Sequence, residues 1–386
     1  MLSQRIQSLS PSVTIAVSTL AQELKAEGKD IISFSAGEPD FDTPQIIKDA
    51  AIQAIHDGFT KYTAVAGIPE LKEAIAHKLK RDNGLNYAPN DIIASNGAKQ
   101  SLFNLFQAVL DEGDEVVIPA PYWVTYPEIV KYSKGTPIII DTQDEDGFKI
   151  TATQLKDAIT PKTKMLILTS PSNPTGSLYS KEELTALADV LKGTDILVAS
   201  DEMYEKLVYD TTFTATASIS EDMFQRTITI NGLSKSVAMT GWRFGYLATP
   251  KKELIAAMNK LQSQSTSNIC SITQHAAIAG LNGSADTDIE MMRQAFQKRR
   301  DLAVELFNES PKLSVLKPDG AFYLFVNIKQ ISDDSITFCK ELLSETGVAV
   351  VPGLGFGSEG YFRFSFATSE ANIIEGIKRI RAFCES

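Results

Sequence analysis

Lys235 follows Ser234 just beyond a β-branched run, residues 227–231, in a chain of 386 residues. A lysine amine can add to a carbonyl carbon, and it can carry a proton to or from a neighbouring atom. On its own, a lysine after a strand is ordinarily a solvated loop residue. Other apolar runs of the chain end in residues with complementary chemistry. Asn96, Gly97, Ala98 and Lys99 follow the run 91–95. A glycine entering a helix there leaves free backbone N–H groups and the positive end of the helix dipole to meet a phosphate. Asn173 lies in the turn 170–176, where Pro171 and Pro174 lock the backbone and hold its amide in one orientation. Asp201 closes the run 195–200, with the phenol of Tyr204 three residues on, and Arg243 stands at the head of the run 243–249.

The elements that must carry these residues can be read from the pattern around them. Short apolar runs alternate with longer amphipathic stretches from about residue 91 onward, which predicts strands joined by helices across a mostly parallel sheet. Strands are expected at 91–95, 115–119, 137–141, 164–169, 195–200, 227–231 and 243–249. Helices are expected at 98–110, 122–132, 181–191 and 251–262, with Ser180 capping the third ahead of Glu182 and Glu183. In open α/β sheets ligands bind beyond the carboxyl ends of the strands. One lysine, one carboxylate, one amide, one phenol, one arginine and a phosphate-ready glycine turn all fall at that edge. Together they form the inventory that an aromatic aldehyde phosphate requires.

The sheet pattern ends near Leu281. A long charged helix, 288–308, then leads to strands near 313–316, 321–327, 348–351 and 361–366 and a terminal helix from Ser369. These elements read as a smaller α+β domain. The N-terminal segment offers a helix to Glu27, a strand at 31–35 and a turn at 37–40, too little to fold alone. The expected organisation is a segment 1–40 packing with the small domain, a large cofactor-binding α/β domain over 41–283, and a small domain over 284–386. No repeat, low-complexity tract or flexible linker interrupts them.

Composition narrows the function classes. A formal charge of −11 opposes binding to phosphate backbones, so nucleic acid is not expected as a partner. Cys270, Cys339 and Cys384 form no CxxC pair, which fits a reducing compartment. His56, His77 and His275 are scattered without metal-site spacing, and no metal is expected. No secretory h-region and no run approaching the ~20 apolar residues of a membrane span are present. The expectation is a soluble, cytoplasmic protein with no membrane partner.

The motifs in their order resemble the fold-type I pyridoxal-phosphate aminotransferases of class I, and most nearly the prokaryotic aspartate aminotransferase branch. The resemblance runs through Ser12 to Thr14, Ala36 to Pro44, Lys61 to Thr63, Pro121 to Trp123, Ser170 to Gly176, Asp201 to Tyr204, Ser234 with Lys235, and Tyr361 to Arg363, and so spans essentially the whole chain. It implies pyridoxal 5′-phosphate as cofactor, with Lys235 as its covalent anchor and as the group that moves the substrate proton. It further implies Asp201 at the pyridine nitrogen and Asn173 and Tyr204 at the phenolic oxygen. Gly97, Ala98, Ser234 and Arg243 fall at the phosphate, joined by Tyr62 from the other subunit of a homodimer. Trp123 falls against the cofactor ring.

For substrate, the resemblance gives Arg363 to the α-carboxylate, with the Gly37 backbone and Asn173 assisting. No arginine occurs in the stretch 264–268, where another branch of the family supplies one for a second carboxylate. Lys99, assisted by Thr14, is the expected partner of that group, although a lysine in a first helical turn is otherwise a solvated residue. The implied reaction is ping-pong transamination between aspartate or glutamate and 2-oxo acids. Amination of prephenate to arogenate is the alternative within the branch, alone or as a second activity. A cofactor-dependent lyase and a non-catalytic ligand sensor are the competing classes, and the sensor lacks any DNA-binding segment.

Overall fold

Helices can cover a sheet on both faces only if successive strand residues are apolar, and β-branched or aliphatic runs of that kind build the centre of this protein. The computed structural model describes residues 2–385. Met1 and Ser386, the outer ends of the expected segments 1–40 and 284–386, lie outside the described residues. Strand β1 is Ile32–Ser33. Seven strands then share one sheet: β2 (Ile92–Asn96), β3 (Glu115–Ala120), β4 (Thr136–Asp141), β5 (Thr163–Thr169), β6 (Leu197–Asp201), β7 (Thr227–Gly232) and β8 (Phe244–Ala248). The C-terminal part adds β9 (Tyr323–Asn327), β10 (Val348–Ala349), β11 (Val351–Pro352) and β12 (Tyr361–Ser365).

The large sheet has the order β2-β8-β7-β6-β5-β3-β4. Its faces are covered separately, because side chains alternate along a strand. Met165 and Ile167 of β5 join a cluster with Leu102, Leu105 and Phe106 of the helix Ala98–Val109, whereas Leu166 and Leu168 join Leu184, Leu187 and Leu191 of the helix Lys181–Leu191. Ser180 caps the latter helix as expected, its hydroxyl accepting from the Glu183 N–H at 3.2 Å. The fold is therefore α/β, with a mostly parallel sheet flanked by helices.

One strand departs from the parallel run, and it matters for the site. β8 is antiparallel to both of its neighbours, β2 and β7. A reversed strand begins where the parallel strands end, so Arg243, immediately before β8, reaches the edge that carries Gly97, Asp201 and Lys235. Gly245 lets that edge close up: a Cβ there would clash with the backbone of Gly97 and Ala98, so only glycine lets the helix start sit directly on the strand.

The C-terminal part forms an antiparallel sheet, β11-β12-β9, in which Arg363 lies opposite Phe325. The N-terminal segment is stitched onto it, with β1 parallel to β10 and Phe34 stacked on Phe364 at 4.1 Å. The Phe34 N–H donates to the Ala349 carbonyl at 2.8 Å and its carbonyl accepts from Ser365 at 3.0 Å.

Local differences from the sequence reading have physical causes. The expected strand 348–351 splits at Val350, because its halves pair with different partners, β1 and β12. The expected strand 313–316 reduces to a single bridge between Ser314 and Asn327. The helix expected over 122–132 begins at Thr125, and the Tyr122 N–H, outside it, donates to the Phe356 carbonyl at 3.0 Å. Helices Gln45–His56, Pro69–Asn83, Ser271–Leu281 and Ser335–Thr346 were not anticipated. Pro69–Asn83 nonetheless carries ordinary signals, a proline in its first turn and Gly84 at φ 70° after its end.

Candidate active site

A cavity of about 1170 Å³ opens at the carboxyl edge of the large sheet, where the helix Val13–Ala26 and β12 approach it. Thr14, Gly37, Gly97, Ala98, Lys99, Trp123, Asn173, Asp201, Tyr204, Ser234, Lys235, Arg243 and Arg363 all line it. Tyr62 does not. Its side chain is 91% exposed on the surface between the helices Gln45–His56 and Pro69–Asn83.

Lys235 stands after β7, with its Nζ donating to the Gly37 carbonyl. Burial lowers its pKa to about 8; the nearby Glu38 pulls the other way, and Arg363 and Arg243 lower it further. Roughly a tenth of the amine is then unprotonated and nucleophilic at pH 7, far more than for an exposed lysine.

Asp201, the last residue of β6, is buried beside it. Its Oδ2 accepts from the Tyr126 hydroxyl at 2.7 Å and its Oδ1 from the Met203 N–H at 3.3 Å. Burial raises the Asp201 pKa, while these two bonds and the Lys235 charge oppose that rise. Such a carboxylate, held in place and short of solvent, gains by meeting a cationic N–H.

Gly97 opens the helix Ala98–Val109 with φ 77°, and no side chain caps that terminus. Arg243 folds over it: a Cβ on Gly97 would meet Arg243 Nη2 at 2.5 Å. The guanidinium donates to the Thr240 carbonyl at 2.9 Å and the Asn96 carbonyl at 3.4 Å, and among the described residues no carboxylate pairs with it. Ser234, buried, lies on the same cavity wall. Helix terminus, guanidinium and hydroxyl make an anion cradle.

Arg363, 2% exposed, is the deepest cation of the cavity. Its Nη1 donates to Asn173 Oδ1 at 3.0 Å and its Nη2 to the Ser35 carbonyl at 2.8 Å. Its Nε has no partner, and among the described residues no carboxylate neutralises it. A buried guanidinium with only neutral acceptors leaves a donor and a full charge available to a ligand carboxylate.

At the mouth, the Lys99 ammonium stands 4.8 Å from the centre of the Trp123 ring. Much of its side chain faces the open cavity, yet desolvation of its head lowers its pKa, with the Arg243 charge adding to the effect. Thr14, half-buried on the helix Val13–Ala26, lines the cavity with it.

Three contributors escaped the sequence reading. Tyr126 binds Asp201, Tyr323 meets the Tyr204 hydroxyl at 2.9 Å, and Glu38 bears electrostatically on Lys235. Tyr126 follows Trp123 by three residues, so the Pro121 to Trp123 motif points to it. Nothing in the sequence near Tyr323 marks it, because strand pairing within the small sheet brings it in.

The residues present fit pyridoxal phosphate: an amine of depressed pKa for its aldehyde, a buried acid for its ring nitrogen, and an anion cradle that no carboxylate of the described residues occupies. The comparison with known proteins agrees. The family model described as aminotransferase class I and II matches residues 29–380. An aspartate/prephenate aminotransferase of Nitrosomonas europaea is 50% identical, over 98% of each chain. The aspartate aminotransferase of Bacillus subtilis is 49% identical, over 100% of this chain and 99% of its own. The solved structure of a Thermus thermophilus aspartate aminotransferase with maleate superposes with a TM-score of 0.96 at 44% identity, covering 99% of each chain. The chain belongs to the pyridoxal-phosphate-dependent class I and II aminotransferases, on the branch of the bacterial aspartate aminotransferases.

Proposed function

We propose that this aminotransferase moves the amino group between aspartate or glutamate and 2-oxo acids, converting aspartate and 2-oxoglutarate to oxaloacetate and glutamate by a ping-pong mechanism. One observation carries the reading: Arg363 and Lys99, two cations without a carboxylate partner among the described residues, line the cavity that holds Lys235. A dicarboxylic amino acid satisfies both. The Thermus thermophilus relative was solved with maleate, itself a dicarboxylate.

Pyridoxal phosphate, when bound, supplies an aldehyde for covalent capture of amines and a ring that withdraws electrons from the substrate Cα. Lys235 would anchor that aldehyde, and its amine is the group that would take and return the substrate Cα proton. Asp201 holds the pyridine nitrogen in its protonated form, and Tyr126 keeps the carboxylate in place. Asn173 and Tyr204 donate toward the phenolic oxygen. The backbone of Gly97 and Ala98, the Ser234 hydroxyl and the Arg243 fork would hold the phosphate, and Trp123 would lie against the ring.

Arg363 grips the α-carboxylate with both arms of its fork, assisted by the Gly37 backbone and Asn173, and so aims the Cα–H bond at Lys235. Lys99, assisted by Thr14, takes the distal carboxylate.

A second activity on prephenate is the alternative within this branch. The Nitrosomonas europaea relative bears the name aspartate/prephenate aminotransferase.

A homodimer completes the site. Tyr62 is 91% exposed, and Ile46, Ile52, Ile55 and Phe59 nearby present apolar surface to a second copy, whose phosphate site Tyr62 reaches. A fully active monomer in dilute solution would refute this arrangement. The three cysteines are free, and among the described residues no helix is long and apolar enough to cross a membrane, which supports a cytoplasmic enzyme.

The test is incubation of the purified holoenzyme with aspartate and 2-oxoglutarate. Glutamate and oxaloacetate are expected. Absence of glutamate there, with pyruvate, ammonia and sulfide released from cysteine in a parallel incubation, would replace transamination by elimination. Formation of arogenate from prephenate and glutamate tests the second activity.

A further inference from the structure

Tyr323, on β9, touches three parts of the site at once. Its hydroxyl lies 2.9 Å from the Tyr204 hydroxyl, and both phenols are buried. Its ring stacks on the Arg363 guanidinium at 4.4 Å. A Cβ on Gly37 would stand 3.2 Å from the same hydroxyl, so the phenol is also wedged against the residue whose carbonyl receives Lys235.

Counting hydrogens gives the pair a direction. Each phenol has one hydrogen to donate and lone pairs to accept with. If the Tyr204 hydrogen points at a ligand oxygen in the cavity, Tyr204 can only accept from Tyr323. The other charged groups that act on Tyr204 are Arg363 on β12 and Asp201 on β6, and neither is hydrogen-bonded to its hydroxyl.

Resting on the reading of the site given above, we propose that Tyr323 is a positioning residue that donates to Tyr204 and thereby aims and polarises the Tyr204 hydroxyl toward the phenolic oxygen of the cofactor. Chained hydrogen bonds strengthen one another in a low-dielectric interior. Tyr323 thus sets how strongly Tyr204 stabilises negative charge on that oxygen, without touching the cofactor itself.

The readout is the pH at which the visible absorbance of the bound cofactor changes, recorded on holoenzyme. Tyr323→Phe retains the ring over Arg363 and removes only the hydroxyl. Weaker donation by Tyr204 favours the protonated chromophore, so the midpoint moves up, by about half a pH unit or roughly threefold in the proton equilibrium. The same substitution made on Tyr204→Phe moves the midpoint no further, since its effect passes through that hydroxyl.

An unchanged midpoint in Tyr323→Phe overturns the proposal, and so does an equal shift in the Tyr204→Phe background. Should Tyr323→Phe not fold, Tyr323→His, which keeps a donor, is expected to hold the wild-type midpoint, and a midpoint raised like that of Tyr204→Phe overturns the proposal. If wild-type protein carries no pH-dependent visible chromophore, the reading of the site fails first, and the two failures are told apart.

Discussion

Tyr126 places its hydroxyl 2.7 Å from Asp201 Oδ2, at the buried end of β6, and the same oxygen lies 2.7 Å from Thr169 Oγ1. Asp201 therefore does not stand alone against desolvation. Tyr126, on the helix Thr125–Tyr132 that follows β3 and edge-on against the Trp123 ring at 5.5 Å, holds its charge in place.

Removing that donor tests the role given to Asp201. Tyr126→Phe takes away a bond that lowers the Asp201 pKa, so the carboxyl rises further and is less often ionised beside the cofactor nitrogen. A hydrogen bond to a charged group contributes about 1.5–3 kcal/mol. The expected result is a roughly 10- to 100-fold fall in kcat with the cofactor still bound, measured by steady-state kinetics and visible absorbance.

The two cations of the cavity are expected to separate by substrate. Arg363→Lys loses the bidentate fork and raises KM for every amino donor, by roughly 10-fold or more. Lys99→Ala raises KM for aspartate and 2-oxoglutarate and leaves monocarboxylic donors such as alanine unchanged. Equal losses on both kinds of donor would remove Lys99 from the distal carboxylate.

The pKa of Lys235 makes a prediction for cofactor-free protein. Burial lowers it to about 8, and only the neutral amine attacks an aldehyde. The rate of pyridoxal-phosphate capture, followed by absorbance, should rise with pH and level off just above 8. A rise continuing toward the range of an exposed lysine would show that the amine is not desolvated as described.

Glu202, next to Asp201, should govern stability against pH. It is fully buried, accepts from Ser200 Oγ at 2.9 Å and the Thr216 N–H at 3.1 Å, and has an Oε2 without a partner. Burial raises its pKa to about 8, with Glu205 adding to the rise, and the hydrogen bonds and Lys78 opposing it. A folded pKa above the unfolded value means stability fully present at low pH. It is lost between the unfolded value near 4.5 and about 8, at up to about 1.4 kcal/mol per pH unit. Glu202→Gln should flatten that slope and raise the denaturant midpoint at pH 8, and an unchanged slope would contradict it.

Much of this site could be read before any coordinates, because each strand of the large sheet is a continuous apolar run and the chemistry begins where the run stops. Asp201 after 195–200 and Lys235 after 227–231 are found that way. Arg243 was placed at the same edge as the head of a strand, but the reason, the reversed direction of β8, lies in pairing and not in residue pattern. Tyr323 was invisible for a related reason: its partners Tyr204 and Arg363 come from β12 and the loop after β6, and only the closed fold brings the three together. The unanticipated helices are a different matter, since Pro69 and Gly84 mark the start and end of one of them in the sequence itself.

The most direct test of the account is Lys235→Ala, purified with pyridoxal phosphate and assayed with aspartate and 2-oxoglutarate. Folded protein is expected whose turnover falls by at least ~10²-fold, through loss of a positioned proton carrier together with the covalent anchor. Full turnover by Lys235→Ala would contradict it.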